Sequence, residues 1–263
     1  MNKVFAKCIA PVATLAMGVG LSGCDMNISV GGGDGVPLAE LDMTGAAPDS
    51  LTVAVPDKVI LTEGETLDIV VEGDGDAAES LRFDLDGNDL GIYRDDGWNS
   101  NGSATIRVTM SAPREINIGG SGDVEAPVMA DSASINIGGS GNVAVAEFAA
   151  STLEVNIGGS GTIDGAGSAE RLEVVIGGNG NVNLADLTTD RAEVTIGGSG
   201  DVAFASDGDV EATIGGSGTV NVTGDAKCEL NSFGSGTLNC APRSAEAADA
   251  STEETPQDEA DES

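Results

Sequence analysis

The chain has 263 residues, with 11 basic and 44 acidic side chains, no histidine and 3% aromatic residues. So few cations against a formal net charge of −33 exclude a nucleic-acid binder, whose affinity rests on neutralising phosphates. Without histidine there is no His-based triad, no His metal site and no imidazole switch near neutral pH.

The first segment, residues 1–23, reads as an address. Lys3 and Lys7 make a positive start, and Cys8 to Val19 form an apolar run broken by Pro11. That run is shorter than the roughly 20 residues a bilayer span needs, so it reads as a secretory signal. It ends in Leu21-Ser22-Gly23-Cys24, which resembles the lipobox of bacterial lipoproteins. The resemblance implies cleavage before Cys24, diacylation of that Cys and acylation of the new amine; several acyl chains anchor stably where one is marginal. The plainer alternative is an ordinary cleaved signal with a chance Cys.

Asp25 resembles the inner-membrane retention signal of enterobacterial lipoproteins. Other bacterial groups do not follow that rule uniformly, so both the periplasmic face of the inner membrane and the outer membrane or surface stay open. Losing residues 1–23 removes two basic residues and no acid, which leaves a mature charge of 9 − 44 = −35. Anionic headgroups repel such a body, so acyl chains and not charge would hold it at the membrane.

Residues 24–48, with Gly31-Gly32-Gly33-Asp34-Gly35 and Ala46-Ala47-Pro48, read as a flexible tether. A Gly-rich coil of that length spans roughly 25–30 Å. Residues 49–243 read as one β domain. Its first part alternates in the strand manner at Leu51–Val55, Lys58–Leu61, Leu67–Val71, Leu81–Phe83 and Thr105–Met110, with Gly and Asp clusters at the breaks. No stretch shows a helical period. Residues 244–263 hold eight acids and no base, and read as a disordered, solvated tail.

From 115 to 240 one unit recurs seven times, led by Glu115-Ile116-Asn117-Ile118-Gly119-Gly120-Ser121-Gly122. Later copies start at Ser134, Glu154, Glu173, Glu193, Glu211 and Glu229, so the period stays near 19 residues. A fixed period of this length marks a solenoid. Ile118, Ile137, Ile157, Ile176, Ile196 and Ile214 stand just before the glycines; Val124, Val143, Ile163, Val182, Val202, Val220 and Leu238 stand just after the turn. Period two on both sides of a Gly-Ser-Gly break means strand, tight turn, strand, with one face inward. The glycines are expected to supply backbone conformations a Cβ forbids. The fold class is therefore all-β, a single-stranded parallel β-helix, whose seven coils make a rod of roughly 34 Å.

Cys228 falls in the column of Leu153, Leu172 and Val210, and Cys240 in that of Val145, Leu184 and Phe204. Both are expected to face inward in the last coil, as a disulfide in an oxidising compartment or as two buried thiols.

The repeated Ile-Gly-Gly-Ser-Gly-x-Val units resemble the DUF2807 family, the "putative auto-transporter adhesin, head GIN domain", over residues 50–240. The resemblance implies a right-handed β-helix with glycine motifs at its turns, an adhesion role and no catalytic residues. The last unit departs from the pattern, reading Asn231-Ser232-Phe233-Gly234-Ser235-Gly236 with Ser232 in the isoleucine column.

Among candidates for chemistry, Glu115, Glu154, Glu173, Glu193, Glu211 and Glu229 form a column interrupted by Ser134. It reads as a cation-binding stripe, with Glu154, Glu173, Glu193 and Glu211 as ligands, or as an exposed, screened ladder. The ladder is the plainer reading, with no metal or other cofactor. Gly119–Asp123 and Gly197–Asp201 are similar to calcium-binding nonapeptide repeats, but Val124 and Val202 stand where the required Asp should be. Asp84–Asn88 is similar to an EF-hand opening, with Asp89 in place of the invariant Gly and strand-like flanks, so a hairpin turn is expected.

Parallel β-helices also host polysaccharide-active enzymes. The repeat region offers only Arg171, Arg191 and Lys227 as bases and few aromatics for sugar stacking, so no enzyme is expected. The function read from these features is a non-catalytic, lipid-anchored envelope protein, an adhesin or envelope-interaction module. A periplasmic scaffold or a cation or carbohydrate binder is the alternative. The partners are the membrane, through the lipid, and an envelope protein or glycan; nucleic acid is not one.

Overall fold

The computed structural model describes residues 35–73, 75–95 and 102–242. The signal, Cys24, Asp25 and the acidic tail lie outside the described residues.

The N-terminal part supplies β1 (Ser50–Val53), β2 (Lys58–Glu63), β3 (Asp68–Gly73), the short helix α1 (Gly75–Glu79), β4 (Leu81–Asp86), β5 (Asp89–Arg94) and β6 (Ala104–Met110). The repeats supply β7 (Glu115–Ile118), β8 (Asp123–Val128), β9 (Ser132–Ile137), β10 (Asn142–Ile157), β11 (Thr162–Ile176), β12 (Asn181–Ile196), β13 (Asp201–Ile214), β14 (Thr219–Thr223), β15 (Lys227–Ser232) and β16 (Thr237–Ala241). All sixteen join one continuous sheet wound into a parallel β-solenoid.

Register carries the inward columns from coil to coil. Ile118 stacks on Ile137, Ile137 on Ile157, Ile157 on Ile176, Ile176 on Ile196 and Ile196 on Ile214. Each of these isoleucines is fully buried, and burial of such a side chain contributes about 1.5–3 kcal/mol. The long strands β10 to β13 run through a corner without breaking, and the corners appear as register shifts, for example between Val145 and Phe148. Such bulges bend a strand and raise its local twist, which is how one strand serves two sides of a coil.

The turn glycines have a different reason from the expected one. Among the described residues, the glycines with positive φ are Gly35, Gly45, Gly73, Gly87, Gly167 and Gly224, none of them in a Gly-Ser-Gly turn. Close stacking is the cause instead: a Cβ on Gly178 would lie 2.1 Å from the Gly159 carbonyl oxygen of the coil beneath. The turn backbones pack directly on one another, with Ser160 N donating to Gly139 O and Asn179 N to Gly159 O.

The chain does not lay its coils in sequence order at the start. β1 lies parallel to β7 on one side and to β5 on the other, and β2 likewise lies between β8 and β6. The coil made by β5 and β6 therefore sits outside the one made by β1 and β2. Beyond it β4 runs antiparallel to β5, and β3 antiparallel to β6. Leu81, Phe83 and Ile69 on these two strands are buried over the end of the core. This blunts a sheet edge that would otherwise be open.

Neither β5 nor α1 is legible as periodicity. Gly91 interrupts the β5 pattern, and the Tyr93 ring lies over it; an added Cβ would meet that ring at 2.4 Å unless the ring moved. Helix α1 has five residues, too few for a helical repeat. Residues 35–48, which composition assigns to the tether, are docked: Val36 exchanges two backbone hydrogen bonds with Phe83, each 2.8 Å, and Ala47 is buried.

Candidate interaction face

One outward column of the solenoid gathers most of the candidate residues. Asp89 lies beside Ser50, Ser50 beside Glu115, Glu115 beside Ser134 and Ser134 beside Glu154. From there the acids are contiguous, through Glu173, Glu193 and Glu211 to Glu229. Neighbouring parallel strands are about 4.8 Å apart, so each step places like charges at close range. The column thus has two halves, one in which serines separate the acids and one in which nothing does.

In the second half the missing separation is made up sideways. The column two residues earlier reads Thr152, Arg171, Arg191, Asp209 and Lys227 in register. All three cations of the repeat region therefore stand beside the uninterrupted glutamates. They share with Glu193, Glu211 and Glu229 an open groove of about 440 Å³. Opposite charges one column away, without ion-pair contact and with Asp209 among them, offset part of the repulsion along the ladder. The sequence contains this signal, since Arg171, Arg191 and Lys227 each precede a ladder glutamate by two residues. The inclusion of Asp89 and Ser50 is not legible, because β5 stacks out of chain order.

Glu154, Glu173, Glu193 and Glu211 contribute one carboxylate per coil. Among the described residues no three His, Cys, Asp or Glu side chains converge where a metal ion could be held. The second outward column is neutral: Asn136 Nδ2 donates to Asn117 Oδ1 at 2.9 Å, and Asn156 Nδ2 to Asn136 Oδ1 at 3.0 Å. Polar residues line the turn exits as well, where Asn142 Nδ2 donates to Asp123 Oδ1 at 2.7 Å.

The remaining sequence candidates fall elsewhere. Val124 and Val202 are buried core residues, and β4 and β5 form an antiparallel hairpin around Gly87 and Asn88. Cys228 and Cys240 are bonded across the last coil, their Cα atoms 6.7 Å apart. They hold the inward columns, stacked on Val210 and Val222, yet Cys228 is only half-buried and Cys240 is exposed. Nothing among the described residues lies beyond them, so facing inward does not bury them. The two ends of the solenoid therefore differ, one capped by antiparallel strands and one left as a bare coil.

At the capped end Asp57 is buried and holds the Arg94 guanidinium in a two-pronged ion pair, with Arg94 Nε 3.0 Å from Asp57 Oδ2. Ala104 N also donates to Asp57 Oδ1 at 2.7 Å. Nearby, Tyr93 is pushed above the ordinary phenol range by burial, then by the charges of Asp89 and Asp84. Neither group was singled out by sequence, because the elements that bring them together stack out of order. Among the described residues no helix is long and apolar enough to cross a membrane.

These features define a parallel β-solenoid built from close-stacked glycine turns, carrying an outward acidic ladder. Over residues 47–226 the chain matches DUF2807, described as "Putative auto-transporter adhesin, head GIN domain", and it belongs to that family. Crystal structures of similar fold include a "putative adhesin" from Bacteroides fragilis NCTC 9343, at 19% identity and TM-score 0.67, covering 74% of this chain and 92% of that one. A "putative lipid binding protein" from Parabacteroides distasonis ATCC 8503 aligns at 24% identity and TM-score 0.55, over 74% and 93% of the two chains. A "putative adhesin" from Parabacteroides merdae ATCC 43184 aligns at 17% identity and TM-score 0.53, over 74% and 92%. No curated protein matches the chain.

Proposed function

We propose that the protein is a lipid-anchored β-helix of the bacterial cell envelope that works by adhesion, presenting a stiff acidic face without catalysis. Membership of the adhesin-head family over residues 47–226 carries this reading. The lipobox-like Leu21-Ser22-Gly23-Cys24 supports the anchor. A carboxylate ladder with flanking cations supports recognition of a polar, charge-bearing partner such as an envelope protein or a glycan. Such complementarity sets orientation and encounter rate more than raw affinity.

Two measurements on one pair of strains test this. Labelling with a palmitate analogue should mark the wild type, and Cys24→Ser should lose the label and shed the protein into the soluble fraction. Attachment of those cells to a panel of glycans and matrix proteins should fall in parallel. Label retained by Cys24→Ser, or attachment unchanged after deletion of the protein, contradicts the reading. A second reading, a periplasmic scaffold, is favoured by Asp25 and predicts full labelling with no effect on attachment.

A further inference from the structure

We propose that the bare C-terminal end of the solenoid is a homotypic interface, at which β15 of one copy pairs antiparallel with β15 of a second. The two ends of the rod are built differently. At the N-terminal end β3 and β4 close the core, whereas β15 pairs only with β13, and β16 only with β14, among the described residues. An open edge presents a row of backbone donors and acceptors ready for another strand. Solenoids meet this need with a polar terminal repeat, and this one does so only in part, with Ser232 in the isoleucine column but apolar residues kept elsewhere. Leu230, in the column of the buried Val194 and Ala212, is 40% exposed, and Phe233 is 82% exposed.

The chain's own remainder is a poor cover. Residues 243–263 contain no Val, Ile, Leu, Met, Phe, Tyr or Trp, and eight acids. Those acids would meet Glu229 and the ladder behind it.

Charge points to a second copy. Residues 227–242 carry one cation, Lys227, and one anion, Glu229, so this coil is neutral on a chain of net charge −33. The two stand two residues apart on the outward face of β15. A two-fold axis through Cys228 sets Lys227 of each copy opposite Glu229 of the other, so the surface is self-complementary, as an isologous contact requires. The same operation sets Leu230 of each copy opposite Ala226 of the other.

Sedimentation of the mature chain, residues 24–263 with Cys24→Ser, tests this. A monomer–dimer equilibrium is expected, at least tenfold tighter near physiological salt than at about 0.01 M, where the Debye length grows from about 8 to about 30 Å and the net charges repel further. Phe233→Asp, at an exposed side chain beyond the end of β15, should leave the dimer and the melting transition unchanged. Lys227→Glu should weaken the dimer at least tenfold, and Lys227→Glu combined with Glu229→Lys should restore it. The proposal is overturned by a chain that stays monomeric at about 100 µM, by a dimer indifferent to Lys227→Glu, or by dimerisation only after removal of residues 243–263, which would make the tail the cover.

Discussion

Arg94, the last residue of β5, closes onto the carboxylate of Asp57 in the turn between β1 and β2, and that carboxylate is fully shielded from solvent. The pair locks the outermost coil onto the one laid down before it in sequence. Arg94 also contacts the Ala77 carbonyl of α1 and the Ser80 hydroxyl, so the cap is held by the same guanidinium.

Removing one partner of a buried pair leaves the other charge uncompensated, at a cost of about 3–5 kcal/mol. Asp57→Asn should therefore lower the unfolding free energy by about that amount in a urea titration. A loss below about 1 kcal/mol would show that the cap does not depend on the pair.

The turn glycines divide sharply by position. A Cβ on Gly178 would sit 2.1 Å from a backbone oxygen, while one on Gly177 would meet nothing nearer than 3.9 Å. Gly178→Ala should force the coils apart and lower the melting temperature by several degrees, and Gly177→Ala should leave it nearly unchanged. The terminal coil already carries a large residue at the tolerant position: Phe233 N donates to Ile214 O, as Gly215 N does to Ile196 O. Equal effects of the two substitutions would contradict close stacking as the reason for the motif.

The repeats were legible because one physical rule recurs seven times. Period two fixes the inward face, and a constant spacing stacks Ile157 on Ile137 and Ile176 without further information. The N-terminal cap was not legible, because its strands assemble by long-range pairing: Thr52 lies beside Gly91, and Asp89 joins a ladder whose next charge is Glu115. The purpose of the turn glycines is hidden in the sequence for a related reason. Positive φ is a property of one residue, whereas the clash at Gly178 involves a neighbour 19 positions earlier. In the candidate face, the glutamate column was plain from spacing. The flanking column of Arg171, Arg191 and Lys227 was equally encoded, but it shows its meaning only once both columns are seen on one surface.

The last coil should depend on its cross-link. Cys228 and Cys240 close a segment of sequence separation 12, and constraining the unfolded chain over that length is worth about 3 kcal/mol on the loop-entropy account. The double variant Cys228→Ser with Cys240→Ser should melt lower than the parent, and the reductant sensitivity of the parent should vanish in it. Two reactive thiols in the unreduced, unfolded Cys24→Ser chain, after signal removal, would contradict the bond.

Tyr93 gives a pH-dependent reporter at the capped end, since the chain has one tyrosine. Its folded pKa is raised, by burial first and then by Asp89 and Asp84, so the folded chain keeps the phenolic proton longer than the unfolded chain does. The stability carried by the neutral phenol is fully present below the unfolded value near 10 and is lost as pH rises through the folded value. Tyrosinate absorbance should therefore titrate at higher pH in native protein than in denaturant. A native midpoint at or below the denatured one would contradict the placement of Tyr93 beside the two carboxylates.

The most direct test of an envelope-exposed acidic rod is protease shaving of intact cells, followed with an antibody against residues 244–263. Loss of the epitope without lysis is the predicted result, placing the solenoid outside the cell where adhesion is available to it. Protection until the outer membrane is opened would contradict adhesion and move the protein to the periplasm as a scaffold.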